Sequence, residues 1–365
     1  MTVPFSKKNI HQKDLVYINK ILKSGWLTHG KYTNMFQKKF AKFTGSKYAI
    51  TVSSCTAGLH LSCISQGLKK GDEVIVPSIT HTATAHAVSY TGAKVVFADV
   101  SLETGNINLN EIKKKITKKT KGVIVVHMAG FPCDIDEISS FCKKNKLFLI
   151  EDCAHALGTF GRKKHIGNYG ISGVFSFYPT KQITTGEGGM IIVNSKSIMK
   201  RLLSLKAFGI NKDINLRKKP GDYDVKELGL NYRMTDFQAA LGLFQLERYN
   251  NELKARKKNA KLYERIFSNS KNISFASYNK NASYFIFQIF LKQRDKYIDK
   301  LKEKKIGFSI HYARPVHLMS YYKNIQNKKI KLPNSEKYSK ENISLPVHSG
   351  ITKKQIMFIK NTLTK

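Results

Sequence analysis

Between about residue 35 and residue 195 the sequence alternates short apolar runs with longer amphipathic ones, which leaves few architectures open. Strands separated by helix-length segments predict a helix-flanked, mostly parallel sheet. The runs read as strands are Tyr48–Val52, Glu73–Val76, Lys94–Phe97, Gly122–His127, Leu147–Glu151, Gly173–Phe177 and Gly189–Val193. Together they make one large α/β sheet of seven strands. Between them lie candidate helices at Ala57–Gln66, Thr82–Thr91, Asn110–Lys118 and Asp134–Asn145, each about the length of a right-handed crossover. The last opens on Asp134 as N-cap and sets Ile135, Ile138 and Phe141 on one face beside Cys142.

After Asn231 the texture changes to a long helical pattern over Thr235–Ser268, carrying Phe237, Leu241, Phe244 and Leu246. A smaller α/β unit follows: a strand at Ser283–Leu291, a helix at Tyr297–Lys304 and a strand at Phe308–Tyr312. The expected division falls inside the long helix, giving a large domain over 1–248 and a small one over 249–365. The segment Asn211–Asp224, rich in Lys, Asp, Gly and Pro, reads as a mobile surface loop.

Composition narrows the function classes. A chain of 365 residues with 41% hydrophobic and 24% charged residues can bury a sizeable core and is ordinary for a soluble globular protein. The formal charge of +38 invites a nucleic-acid reading. Against it, the basic residues are scattered in short runs such as Lys113–Lys115, and only nine of the 63 Lys and Arg residues are arginine. Arginine is the residue suited to bidentate phosphate and base reading, and no nucleic-acid module is evident. A bias toward lysine with some attraction for anionic substrates is the better reading. The five cysteines are odd in number and lack a C-x-x-C pair, which argues against a disulfide framework and against a metal site. Met1–Leu15 lacks the apolar core of a signal peptide, and no apolar run reaches the roughly eighteen residues a membrane span needs. The expectation is a cytoplasmic protein.

In a sheet of this kind ligands settle at the carboxyl ends of strands. One such end is Phe175–Met190: an apolar strand, the Ser176 hydroxyl, Lys181 on an abrupt turn, and the Gly186-Glu187-Gly188-Gly189 exit. Most lysines of so basic a chain are solvated surface. Lys181 differs through its apolar and glycine-rich neighbours, which suit an amine that attacks a carbonyl to form a Schiff base. Ser53–Gly58 supplies small residues and free helix-start amides suited to a phosphate. Asp152, at the end of the apolar run Leu147–Ile150, must be paired if buried, and a protonated pyridine nitrogen would serve. His81 brings an imidazole to the same edge, where it could stack on a flat ring. Phosphate cup, stacking face, acid and amine are complementary to pyridoxal 5′-phosphate (PLP).

At this point the chain resembles the DegT-type (DegT/DnrJ/StrS) sugar aminotransferases. The resemblance runs from Gly25-Trp26-Leu27-Thr28 through Glu151-Asp152-Cys153-Ala154-His155 and the Lys181 turn to Leu230-Asn231-Tyr232-Arg233-Met234, His311-Tyr312 and Pro315-Val316-His317. It implies the aspartate-aminotransferase-like fold (PLP fold type I), with a mixed sheet. It also implies Lys181 as the cofactor-bearing lysine, Asp152 as partner of the pyridine nitrogen and His155 near the phenolic oxygen. Thr56, Ala57 and Ser176 match phosphate-binding positions, and His81 stands where the family usually has an aromatic stacking residue. Asn231 matches a residue donated across a homodimer interface to the cofactor phosphate. Glutamate is the implied amino donor. The implied acceptor is a nucleotide-linked 4-keto-6-deoxyhexose, as for perosamine synthase relatives, in surface-polysaccharide amino-sugar synthesis. Arg233, His311, Tyr312 and His317 are candidate substrate contacts. The alternatives are a keto-inositol or keto-octulosonate aminotransferase and a non-catalytic regulator or nucleic-acid binder. A dehydratase of the same fold would carry histidine in place of Lys181.

Overall fold

The computed structural model describes residues 1–7, 10–211, 219, 221–326 and 330–364; most of the loop expected at Asn211–Asp224 therefore lies outside the described residues. The chain opens with α1 (Gln12–Ser24) and α2 (Lys31–Thr44), then β1 (Tyr48–Val52), α3 (Cys55–Ser65), β2 (Glu73–Pro77), α4 (Thr82–Ser89) and β3 (Lys94–Ala98). It continues through α5 (Leu109–Lys113), β4 (Thr120–Val126), α6 (Ile135–Lys144), β5 (Phe148–Asp152), β6 (Ser172–Ser176), β7 (Gly189–Val193) and α7 (Lys196–Leu205). The 32-residue α8 (Asp236–Phe267) leads to β8 (Phe287–Phe290), α9 (Arg294–Glu303), α10 (Ser320–Ile325), α11 (Pro333–Glu341), β9 (Asn342–Leu345) and α12 (Lys353–Thr364).

The seven expected strands form one sheet in the order β1-β7-β6-β5-β4-β2-β3. Strand β7 pairs antiparallel with β1 and β6, and the remaining pairs are parallel. The runs are apolar throughout because both faces are covered. Val74, Val76, Ile124, Ile150, Val174 and Ile191 pack with α3, α4 and α7. The alternate residues face the other way. Ile75, Val123, Val125 and Leu149 meet α6, while Phe175, Met190 and Ile192 meet α2 and the first half of α8. Each such side chain contributes about 1.5–3 kcal/mol by leaving water.

Helix α8 serves two cores. Leu243, Leu246 and Tyr249 pack beneath the sheet, whereas Ala260, Tyr263 and Phe267 pack with β8, β9, α9 and α12. The second core also takes in Val3, Met128 and Phe131. Among the described residues no helix is long and apolar enough to cross a membrane.

Several expected elements are shorter or replaced. Helix α5 stops at Lys113 because Thr117 turns to its own surroundings: its amide donates to Thr120 Oγ1 at 2.9 Å and its hydroxyl to Glu73 Oε2 at 2.6 Å. Asp134 precedes α6 without making a side-chain cap bond. The strand expected from Ser283 begins only at Phe287, since Tyr284 has φ +51° and the Ser283 and Phe285 amides donate to Gly130 and Ala129. The expected strand Phe308–Tyr312 reduces to one bridge, Ser309 with Ser344, and β9 takes its place beside β8.

Candidate active site

Because β7 alone runs against its neighbours, the carboxyl ends of β1, β6, β5, β4 and β2 share one edge of the sheet. The start of α3, Ser176, Asp152, His127 and the Pro77–His81 turn therefore converge. Lys181 hangs over this edge on the connection between β6 and β7.

That connection is bolted at several points. The Lys181 amide donates to Tyr178 O at 2.9 Å, and the Thr185 amide donates to Phe177 O at 2.9 Å. From α8 the Gln245 side chain accepts from the Thr184 amide at 3.1 Å and donates to Thr184 O at 2.7 Å. Next to the lysine, Gln182 Nε2 donates to His155 O and to Ser283 Oγ, both at 3.1 Å. Gly186, at φ +79°, takes the left-handed turn that lets the chain double back. A lysine on so constrained a backbone keeps its amine in a small volume.

The Lys181 Nζ lies 4.7 Å from the centroid of the Phe285 ring, which stacks on His155 at 4.4 Å. Burial pulls the Lys181 pKa down to about 8, against the opposing pull of Cys55 and Asp152. Asp152 ends β5 and is 4% exposed. Its Oδ2 accepts from Thr84 Oγ1 at 2.8 Å and its Oδ1 from the Ala154 amide at 3.0 Å.

Around this pair the structure gathers four more of the expected residues. His155 is buried, meets the Ala129 amide through Nδ1 at 3.4 Å, and lies 3.4 Å from the Tyr312 hydroxyl through Nε2. Burial, with the Lys181 charge behind it, holds its pKa well below the usual histidine range, so the ring is neutral. His311 stands 5.6 Å from His155, ring to ring, and burial takes its pKa to about 3. His81 is 6.1 Å from the Tyr312 ring, and its Nδ1 accepts the Ala83 amide at 3.1 Å, so the same imidazole caps α4.

At the start of α3 the amides of Cys55 and Thr56 have no acceptor within the helix. The Ala57 amide is already taken by Ser54 Oγ at 3.1 Å. Ser176, half-buried, ends β6 across the sheet from this turn. Free helix-start amides, a hydroxyl, a buried carboxylate with lone pairs to spare and an amine of lowered pKa make a donor set that fits the phosphate, ring nitrogen and aldehyde of PLP.

Three expected residues are engaged with other partners. Arg233 donates to Asn231 Oδ1 at 3.0 Å, sits 3.2 Å from His29 Nε2 and covers the Phe208 ring at 5.1 Å, so Asn231 and Arg233 form a cluster of their own. His317 is buried with Ser78, its Nδ1 2.5 Å from that hydroxyl and its Nε2 3.6 Å from Glu336.

Sequence reasoning also passed over Glu151, which points to the opposite face from Asp152 because strand side chains alternate. It is fully buried and accepts the amides of Gly167, Tyr169 and Gly170 at 2.6, 2.7 and 2.8 Å, with His127 Nε2 at 3.2 Å. With Cys153 these side chains could group around a metal, but the carboxylate is already filled by amides. Its role is to pin the loop between β5 and β6. Burial works to raise its pKa, and the His127 contact and the loop amides outweigh that and hold it low. Glu151→Ala leaves several buried amides unpaired and should cost about 3–5 kcal/mol in chemical denaturation. The carboxylate's contribution is present above the ordinary glutamate pKa and is lost as pH falls through its depressed folded-state value.

Known proteins resemble the chain over nearly its whole length. The chain is 34% identical to the GDP-perosamine synthase of Escherichia coli O157:H7, over 98% of this chain and 96% of that protein. It superposes on Helicobacter pylori PseC, an aminotransferase involved in the biosynthesis of pseudoaminic acid, with a TM-score of 0.92 at 26% identity, covering 100% of this chain and 98% of PseC. For the PMP form of Spr1654 from Streptococcus pneumoniae the TM-score is 0.93 at 27% identity, with the same coverage. Residues 8–364 match the model of the DegT/DnrJ/EryC1/StrS aminotransferase family, and the chain belongs to that family.

Proposed function

We propose that this PLP-dependent aminotransferase moves the amino group of glutamate to a nucleotide-linked 4-keto-6-deoxyhexose, for surface-polysaccharide amino sugars. The observation that carries the reading is the Lys181 amine, drawn down to about pH 8 at the same sheet edge as a buried Asp152. Bound PLP supplies an aldehyde and an electron-withdrawing ring. The helix-start amides of Cys55 and Thr56 and the Ser176 hydroxyl bind its phosphate. Asp152 accepts the ring N–H and keeps that proton in place. His155 and His81 orient the ring, and Phe285 excludes water from one side of the amine. Lys181 Nζ would move the proton between the amino-bearing carbon of the substrate and the carbon of PLP that carries the aldehyde. With the keto-sugar the same nitrogen runs the transfer in reverse.

A GDP-linked acceptor is favoured by the name of the Escherichia coli relative, and the basic chain suits a diphosphate. His311 and Tyr312, both set against His155, are the substrate contacts in this reading. Asn231 and Arg233 serve the site of a second copy. The support is the exposed Phe208 ring beneath Arg233, with exposed Trp26 and Leu228, the last 91% exposed, three residues along the chain from His29 and Asn231, apolar side chains that a homodimer would cover. The switch of α8 from one core to the other supports the two-unit division at residue 248.

The test is direct. Purified protein with PLP and glutamate is given GDP- and UDP-linked 4-keto-6-deoxyhexoses, a keto-inositol and a keto-octulosonate, and the products are read by mass spectrometry. The GDP sugar should be aminated fastest, with parallel-line initial-rate plots for a ping-pong cycle. Preferential amination of the inositol or octulosonate would overturn the sugar assignment.

A further inference from the structure

The carboxylate of Asp152 does not stand alone at the end of β5. Behind it lies Thr84, in the first turn of α4, and behind Thr84 lies Thr80, just beyond the end of β2. Thr84 Oγ1 is 2.8 Å from Asp152 Oδ2, and Thr80 Oγ1 is 2.6 Å from Thr84 Oγ1. Both threonines are almost entirely out of water, at 0% and 1% exposure. We infer that Thr84, backed by Thr80, is a positioning residue that holds the Asp152 carboxylate and aims it at the ring nitrogen; the inference rests on the role proposed for Asp152 above.

The argument is one of proton counting. An ionised carboxylate only accepts, so Thr84 must give its single hydroxyl proton to Asp152. That leaves Thr84 nothing to offer Thr80, and the 2.6 Å contact then requires Thr80 to be the donor. The direction Thr80 to Thr84 to Asp152 is thereby fixed, and each bond polarises the next in a buried setting. Oδ1 is held by the Ala154 amide. Two of the roughly four lone-pair positions are thus occupied, and the remainder are left to the cofactor. The relay ties three elements together, the ends of β2 and β5 and the start of α4, and the amino-terminal turn of α4 adds a field that favours negative charge.

A merely structural contact would tie β5 to α4 without touching the state of the cofactor ring. The full-length protein is therefore stripped of cofactor and titrated with PLP, and with PLP labelled with 15N in the ring. Thr84→Val keeps the shape and removes the donor. It should raise the PLP dissociation constant about tenfold or more and move the 15N resonance toward the unprotonated value. It should also lower kcat while leaving KM for the keto-sugar in place. Thr84→Ser should restore all three, and Thr80→Val should shift them in the same direction by less. Asp152→Asn is run beside them. If Asp152→Asn is impaired while Thr84→Val binds PLP as the parent does, with an unmoved 15N signal, the relay is overturned and the Asp152 assignment stands. If Asp152→Asn is itself normal, both fall.

Discussion

Lys181→Ala should lose turnover by about a thousandfold or more while keeping a folded protein that still binds PLP. The size follows from two jobs falling on one nitrogen, covalent attachment and proton transfer, the second alone being worth roughly 10²–10⁴. Cofactor binding survives because the groups proposed to hold it, at the start of α3, on Ser176 and on Asp152, do not depend on the amine. The backbone of the connection is also secure, since Gln182 and Gln245 hold it through residues other than the lysine side chain. The checks are single-turnover amination, thermal melting and borohydride treatment of the PLP-loaded protein with peptide mapping, in which the tag should sit on the Lys181 peptide of the parent and vanish in the variant. A pH effect accompanies it. The amine attacks only when neutral, and its pKa of about 8 lies below that of an ordinary lysine, so attachment of PLP to stripped protein should quicken as pH rises through 8 and level above it. An amine left at the ordinary lysine value would show no plateau until far higher pH.

The parts of this molecule that could be read from the chain are those whose cause is local. Every strand of the large sheet falls within two residues of its apolar run, because burial on both faces leaves an uninterrupted signal such as Val123–Val126. Helices whose stability is borrowed were not legible. Helix α1 buries little beyond Asp14 and Ile21, and its hold on the body includes the Arg248 grip on Asp14, with N–O distances of 3.0 and 2.5 Å, from 234 residues away, and the Tyr17 ring 5.0 Å from that of Phe244. The start of α2 is closed by Asp236 of α8, which accepts the Thr33 amide at 2.7 Å. The same division runs through the site. Lys181, Asp152, Ser176 and His81 sit at strand ends, where direction of chain predicts position. Thr84, Gln182 and Phe285 matter through partners distant in sequence, and nothing in their own neighbourhood announces it. His317 stands in a suggestive segment, and its partner, Ser78 at Nδ1, is likewise distant in sequence.

Asp152→Ala should damage the protein in two separable ways, and the separation identifies what the carboxylate does. Its loss leaves the Ala154 amide and the Thr84 hydroxyl without their acceptor in a buried place, for about 1–3 kcal/mol of stability each, visible in melts of cofactor-free protein. The second effect appears only with PLP present. Without a carboxylate the ring proton has no counter-charge, the ring withdraws electrons poorly, and turnover should drop by about a thousandfold with weakened PLP binding. Asp152→Asn distinguishes the two, since an amide fills the volume, its oxygen can still accept from the Ala154 amide and its NH2 can donate to a turned Thr84 hydroxyl, so stability should largely return. Turnover should not, because a neutral amide cannot balance the ring charge. Were Asp152→Asn to run at the parental rate, Asp152 would be a packing and hydrogen-bonding residue only, and the ring nitrogen would have another partner.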